Sequence, residues 1–155
     1  MTQAARQVLE DCKIALETIR EGVQGREWRV QWVAAITLLR IVGHVLDKVD
    51  SAISPSYKDE IDRSWKDLQQ TKPEPAIFWQ FINDERNAIL KEYTVNAGQG
   101  VTIDFASGQA SAAYHYIVTA GPFKDQDQRR VISDAIAWWE QYLDKIDQAA
   151  ALGAV

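Results

Sequence analysis

Two carboxylates and one arginine occupy a helical stretch that is otherwise built for a protein core. Between Pro75 and Tyr93, apolar side chains recur at the three- and four-residue spacing of one helix face. Glu85 and Glu92 project from the middle of this apolar arc, and Arg86 lies near its edge. Because a carboxylate that faces a core is costly unless it is paired, we expect a buried polar network around these residues.

A second polar feature is a narrow stripe on the otherwise apolar second predicted helix. Arg40 and His44 project within this stripe, and Gly43 close by permits the near approach of another backbone. A helix that is apolar nearly all round belongs at the centre of a bundle. We therefore expect Arg40 to bind Glu85 through two parallel hydrogen bonds. Glu92 or His44 would complete this network, which would be either a ligand-binding site or a buried polar contact.

The residue types present predict no metal site and no cofactor. Glu85 and Glu92 stand two helical turns apart, but a di-iron helical bundle needs a histidine one turn after each glutamate, and neither has one. The chain has only two histidines, His44 and His115, and a single cysteine, Cys12. It contains no glycine-rich phosphate loop and no nucleophile-elbow motif.

The periodicity of the whole chain predicts a mainly α fold, a bundle of about five helices with one β-hairpin inserted before the last helix. We interpret residues 1–155 as a single domain. The hairpin is expected at about 100–119, where apolar and polar residues alternate on both sides of a turn. The helices are predicted at about 3–22, 27–50, 55–68, 75–93 and 125–148.

Composition limits the classes of partner and location. The formal net charge of −5 argues against duplex DNA, which needs a basic footprint. The first 13 residues contain no apolar signal core, and no window approaches ~18 uninterrupted apolar residues. We therefore expect a cytoplasmic protein without a membrane partner. Six tryptophans and an unpaired hairpin edge favour a homodimer, because exposed apolar patches usually mark an interface.

The segment ERNAILKEY resembles the HEPN domain family, whose fold is a helical bundle that is often dimeric. Active members are metal-independent ribonucleases, including toxins and phage-defence proteins. Their motif is an arginine, a polar residue that is commonly asparagine, and a histidine one to two turns later. Arg86 and Asn87 match the first half, whereas Lys91, Glu92 and Tyr93 stand where the histidine would be. The resemblance thus implies a non-catalytic relative that binds a partner or a nucleotide.

These observations lead to three alternatives of different classes. The first is a non-enzymatic binding or regulatory domain that acts as a homodimer, with a possible protein partner. The second is a HEPN-like ribonuclease acting on RNA, in which Arg86 works with His44 or Tyr93 as the proton-transfer partner. Asn87 would belong to the same catalytic motif. The third is a structural subunit that acts only through its aromatic surface.

Overall fold

The computed structural model describes residues 1–153, except for the side chain of Ser107. Five α-helices and an antiparallel hairpin before the last helix confirm the predicted fold class. The helices are α1 (Gln3–Thr18), α2 (Gly25–Lys48), α3 (Pro55–Gln70), α4 (Asp84–Glu92) and α5 (Gln128–Leu152). The strands are β1 (Ala97–Asp104) and β2 (Ser111–Val118), and short 3-10 turns occupy Asp50–Ala52 and Ala106–Gly108.

Helix α2 is the centre of the bundle, as its nearly continuous apolar character predicts. It contacts each of the other four helices. Its buried residues are Trp28, Trp32, Ala35, Ile36, Leu39, Val42 and Leu46. By length and composition alone, residues 25–52 would also be long and apolar enough to cross a bilayer. The buried residues of this helix pack against the other helices, which is the arrangement of a central helix in a bundle.

The stretch that leads into α4 is not an α-helix. Residues Ile77–Asn83 form a π-helix, which runs directly into α4. Bonding from each residue to the fifth along widens the turn, and four large side chains are buried here: Phe78, Trp79, Phe81 and Ile82. We call Ile77–Asn83 the π segment. It replaces the first half of the single α-helix that the sequence predicts at about 75–93.

The prediction that Glu92 faces the core is wrong. Helix α4 ends at Glu92, and Tyr93 adopts the left-handed conformation with φ of 50°. Glu85 and Ile89 remain buried, but Glu92 is exposed and Tyr93 is 61% exposed. The early end of the helix takes these last two residues away from the packed face.

The hairpin is docked at its base and free at its tip. Ala97 pairs with Val118 at the base, and both are buried. Two residue pairs further out, Tyr116 stacks on Trp28 of α2 with ring centroids 4.1 Å apart. Beyond that point the hairpin extends from the bundle, and Phe105 near its tip is 73% exposed.

The beginning of α1 is bound to the end of α5 through one carboxylate, Asp147. Its oxygens accept hydrogen bonds from the Thr2 backbone nitrogen at 2.7 Å and the Thr2 hydroxyl at 3.0 Å. They also accept from Arg6 Nε at 3.2 Å and Nη2 at 2.7 Å. Burial alone would raise the pKa of Asp147, but the bonds from Arg6 and Thr2 outweigh it, so the pKa is lowered.

We expect Asp147→Asn to lower the free energy of unfolding by about 2 kcal/mol at pH 7, because charge-assisted bonds to Arg6 are lost. The stabilisation by Asp147 is complete above the unfolded pKa of about 3.9. It is lost as the pH falls through the lower folded pKa. Urea unfolding of the wild type and of Asp147→Asn, at pH 7 and below pH ~3, measures the difference in the free energy of unfolding at each pH. Asp144→Asn is the matched control, since exposed Asp144 also binds Arg6 and should change stability by less than about 0.5 kcal/mol.

Candidate functional site

Glu85 is buried as predicted, but its partners are neutral. Its carboxylate accepts the Trp32 indole N–H at 3.1 Å. It also accepts the Asn96 backbone N–H at 2.8 Å and the Asn96 side-chain amide at 2.9 Å. Three donors thus satisfy this carboxylate without a cation, which is the condition that a buried acid requires.

The expected ion pair between Arg40 and Glu85 is therefore wrong. Within residues 1–153, neither acid predicted for the network lies within salt-bridge distance of Arg40. The physical reason is that Glu85 binds a different residue of α2. Trp32 lies two turns before Arg40, and its indole N–H donates to the carboxylate that we expected the Arg40 guanidinium to bind.

Arg40 instead lies among rings and beside another cation. Its guanidinium carbon is 5.9 Å from the centroid of the Phe78 ring, and its side chain is half-buried. Burial first, and then the positive charge of Arg86, lower the pKa of Arg40. Arg40 Nε is buried and has no hydrogen-bond partner. Within residues 1–153, no carboxylate lies within salt-bridge distance of this cation.

A cleft of about 230 Å³ opens at Arg40, between α2, α3, the π segment and α5. We call it the aromatic cleft, because its walls include Trp65, Phe78, Trp139 and Tyr142. The rings contact one another: Phe78 meets Trp65 at 6.1 Å and Trp139 at 5.8 Å, both edge to face. Trp139 meets Tyr142 at 5.6 Å in the same geometry.

Trp139 is the second lining residue with an unused donor. Its side chain is 2% exposed, and its indole Nε1 has no partner. The other three buried tryptophans all donate: Trp28 to Gln128, Trp32 to Glu85 and Trp79 to the Leu68 carbonyl. Unused buried donors are thus an exception in this bundle, and two of them belong to residues of one cleft.

Gly43 leaves room for the Trp139 ring and the Arg40 guanidinium against the backbone of α2. A Cβ at this position would lie 3.0 Å from the Trp139 ring and 3.3 Å from Arg40 Nη1. Any larger residue would therefore push the indole or the guanidinium away. The sequence places Gly43 beside the polar stripe as a point of near approach, and the structure shows that side chains, not a backbone, approach there.

His44 lies at the exposed mouth of the same cleft. Partial desolvation, followed by the positive charges of Arg40 and Arg86, lowers the pKa of its imidazole; Asp47 acts in the opposite direction. The neutral form therefore predominates at pH 7. A neutral imidazole can accept a proton or a hydrogen bond.

The structure brings only some of the sequence candidates together. Arg40 and His44 line the aromatic cleft, and Arg86 is close enough to influence both. Arg86 Nη1 donates to the Asn87 side chain at 3.0 Å. Glu85 belongs to a separate structural contact. Across residues 1–153, no group of three or more histidine, cysteine, aspartate or glutamate side chains is arranged to hold a metal ion.

Comparison with known proteins adds nothing that would assign the site. No family model, no curated protein and no solved structure matches this chain. The geometry of the aromatic cleft is therefore the feature from which a function is inferred.

We expect Glu85→Ala to lower the free energy of unfolding by about 3 kcal/mol, because it leaves buried donors unpaired. Its effect should add to that of Arg40→Ala within about 0.5 kcal/mol, because the two groups do not bond. Chemical denaturation of both single variants and the double variant measures this. Trp32→Phe is the matched control: combined with Glu85→Ala, it should deviate from additivity by about 1 kcal/mol. The same deviation for the Arg40 pair would contradict the geometry.

Proposed function

We propose that this chain is a non-enzymatic binding domain that holds a small molecule in the aromatic cleft. The observation that carries the proposal is the pair of unpartnered donors, Arg40 Nε and Trp139 Nε1, on residues of one cleft. A buried donor left without an acceptor costs about 1–3 kcal/mol. A ligand that supplies acceptors would recover this free energy on binding.

The shape of the cleft supports the same function. Its volume of about 230 Å³ is below the roughly 300–1,000 Å³ of sites for drug-sized ligands. The cleft therefore has room only for a ligand smaller than a typical drug. Aromatic walls with a few polar groups are typical of small-molecule sites. The π segment adds a further indication, since it supplies Phe78 to the wall and π-helical turns are frequent at functional sites.

We expect a screen of small acceptor-bearing aromatic compounds to find ligands that raise the melting temperature of the wild-type protein. Binding to the folded state alone stabilises it, by about 2.7 kcal/mol at a ligand concentration of 100 Kd. Thermal shift measurements on three proteins test the location. Trp139→Phe should reduce the shift, because the indole donor is removed. Trp138→Phe should retain it, because Trp138 lies next to Trp139 on α5 but does not line the cleft. Equal shifts in both variants would place the ligand elsewhere.

A HEPN-like ribonuclease is the second candidate, and one observation favours it. Arg86 and Arg40 both influence His44, whose lowered pKa keeps the imidazole neutral at pH 7. A neutral histidine beside arginines can act as a general base next to groups that bind phosphate. Tyr93 is exposed at the end of α4, which makes it the weaker proton-transfer candidate. In this alternative the partner is RNA.

We expect purified protein to cleave total RNA no faster than its Arg86→Ala variant, because the main proposal assigns no chemistry to this residue. Gel analysis of RNA fragments, without added metal, makes the comparison. His44→Gln provides a second variant that removes the candidate base. Cleavage by the wild type that both substitutions abolish would replace the binding proposal with the ribonuclease alternative.

The proposal includes a homodimer formed through the hairpin. Val101 pairs across the strands with Tyr114, and Ile103 follows on the same face; these side chains are 51%, 59% and 55% exposed. Between residues 97 and 118, Asp104 is the only acid and there is no lysine or arginine. In a chain of net charge −5, two copies repel each other least across such an uncharged apolar face. A second copy is therefore the occupant that we assign to it.

Light scattering at micromolar concentration should give twice the 17.5 kDa chain mass. The double variant Val101→Thr/Ile103→Thr should give a monomer, because it removes the apolar contact but keeps β-branched residues suited to a strand. Ile14→Thr is the control, since Ile14 is 59% exposed on α1 away from the hairpin. A wild-type monomer would contradict the dimer, and a different protein partner would then be the remaining occupant of this face.

The proposal also places the protein in the cytoplasm. Cys12 is the single cysteine of the chain and is buried in the core. Burial raises the pKa of its thiol to about 12, so the reactive thiolate form is negligible at pH 7. A chain without disulfides fits a reducing compartment.

A further inference from the structure

The chemistry of the aromatic cleft limits the class of ligand that it can bind. Two of its lining residues carry a buried nitrogen without a hydrogen-bond partner, Arg40 Nε and Trp139 Nε1, and both atoms can donate hydrogen bonds but cannot accept them. A ligand that enters must therefore bring acceptor atoms. A ligand whose only polar groups are donors would leave the cleft donors unpaired and would gain no hydrogen bond from them.

Charge narrows the choice to an anion. Arg40 is half-buried, and Arg86 adds a second positive charge close to it. Within residues 1–153, no carboxylate forms a salt bridge with either arginine. A partly buried cation without a counterion is unfavourable. A negatively charged ligand group would supply the missing charge and the missing acceptors together.

The rim of the cleft limits the ligand to a single negative charge. Asp47 and Asp62 line the cleft together with Arg40 and His44. Both acids are exposed to solvent or partly so, and each already binds a lysine: Asp47 binds Lys48 at 2.7 Å, and Asp62 binds Lys58 at 2.8 Å. One carboxylate balances the single positive charge of Arg40, and the two rim acids oppose the entry of a second negative charge.

The walls determine the shape of the rest of the ligand. Trp65, Phe78, Trp139 and Tyr142 surround the space with ring edges and faces. Aromatic rings pack well against other rings in offset or edge-to-face arrangements. The volume of about 230 Å³ limits the ligand to one or two fused rings with a short substituent.

From these four constraints we infer that the aromatic cleft binds a planar aromatic monocarboxylate. The carboxylate accepts from Arg40 and from the Trp139 indole N–H, and the ring lies between Phe78, Trp65 and Tyr142. This inference rests on the proposed binding function and specifies its ligand class. One carboxylate group has two oxygens, so it can accept from both donors at once.

The test compares three compounds with the wild-type protein by isothermal titration calorimetry. 2-Naphthoate carries the carboxylate, 2-naphthalenemethanol has the same ring system without the charge, and 2-naphthyl phosphate carries a dianion at neutral pH. We expect 2-naphthoate to bind at least about tenfold more tightly than the alcohol, because its bonds are charge-assisted. We also expect it to bind more tightly than the phosphate, because the rim acids repel the dianion.

Variants and NMR locate the contact. Arg40→Gln should remove most of the preference for 2-naphthoate over the alcohol, whereas Arg29→Gln, on the exposed side of α2, should retain it. Trp139→Phe provides a second variant that does not change the charge. In ¹⁵N-labelled protein, 2-naphthoate should shift the Trp139 indole N–H signal downfield, as a new hydrogen bond does. The Trp28 indole signal should stay in place, since Gln128 already accepts its proton at 2.7 Å.

The outcomes separate the ligand class from the binding function. Equal affinity for 2-naphthoate and the alcohol, or tighter binding of the phosphate, would overturn the inference and leave a small-molecule site. If none of the three binds while the wider screen finds other ligands sensitive to Trp139→Phe, the monocarboxylate class is wrong and the proposed function stands. If no compound from either experiment binds, both are overturned.

Discussion

The arrangement of this molecule depends on how the buried carboxylate of Glu85 is satisfied. It joins α4 to the Trp32 indole of α2 and to Asn96, the residue that precedes β1. One acid thereby fixes the position of α4 against the central helix and the point at which the hairpin leaves the bundle. Because its donors are all neutral, this acid leaves Arg40 without a counterion. The hydrogen bonds that Glu85 accepts from Trp32 and Asn96 thus have two results: they hold α4 in place, and they leave Arg40 unpaired in the aromatic cleft.

The aromatic cleft is formed by large rings from three elements, and one of these rings, Trp139, packs against Gly43 of α2. Gly43 lets Trp139 and Arg40 approach α2 more closely than any side chain at that position would permit. The π segment places Phe78 against both of them. A rigid, partly open space follows from this packing, and its polar lining comes from the stripe on α2.

The sequence predicts much of the fold because its strongest signals are periodic. The apolar circumference of α2 indicates its central position, and alternation between 100 and 119 indicates the hairpin, which begins at Ala97. The burial of Glu85 was also predicted. Its partners were not, because a tryptophan in an apolar helix is expected to supply bulk, and Asn96 stands in a segment without periodicity. Glu92 was misplaced because no sequence signal marks where α4 ends in a left-handed Tyr93.

The cleft itself was only half visible in the sequence. Arg40, His44 and Gly43 stand within one turn of α2, so their spacing could indicate a site. The opposite wall comes from Trp65, Phe78 and Trp139 on three separate elements. Their contribution depends on the rotation of each helix about its own axis. Within the π segment that rotation differs from the regular 3.6-residue repeat, so helical periodicity could not place Phe78 in the wall.

The contact between Thr2 and Asp147 has a mechanical consequence. It joins positions 145 residues apart in the chain and binds the first helix of the bundle to the last. A force that pulls residues 1 and 153 apart would therefore load this contact before the hairpin or the aromatic cleft. The cleft would be shielded from tension until α1 and α5 separate. The first event in such an unfolding would be rupture of a few short polar bonds, with the aromatic packing still intact.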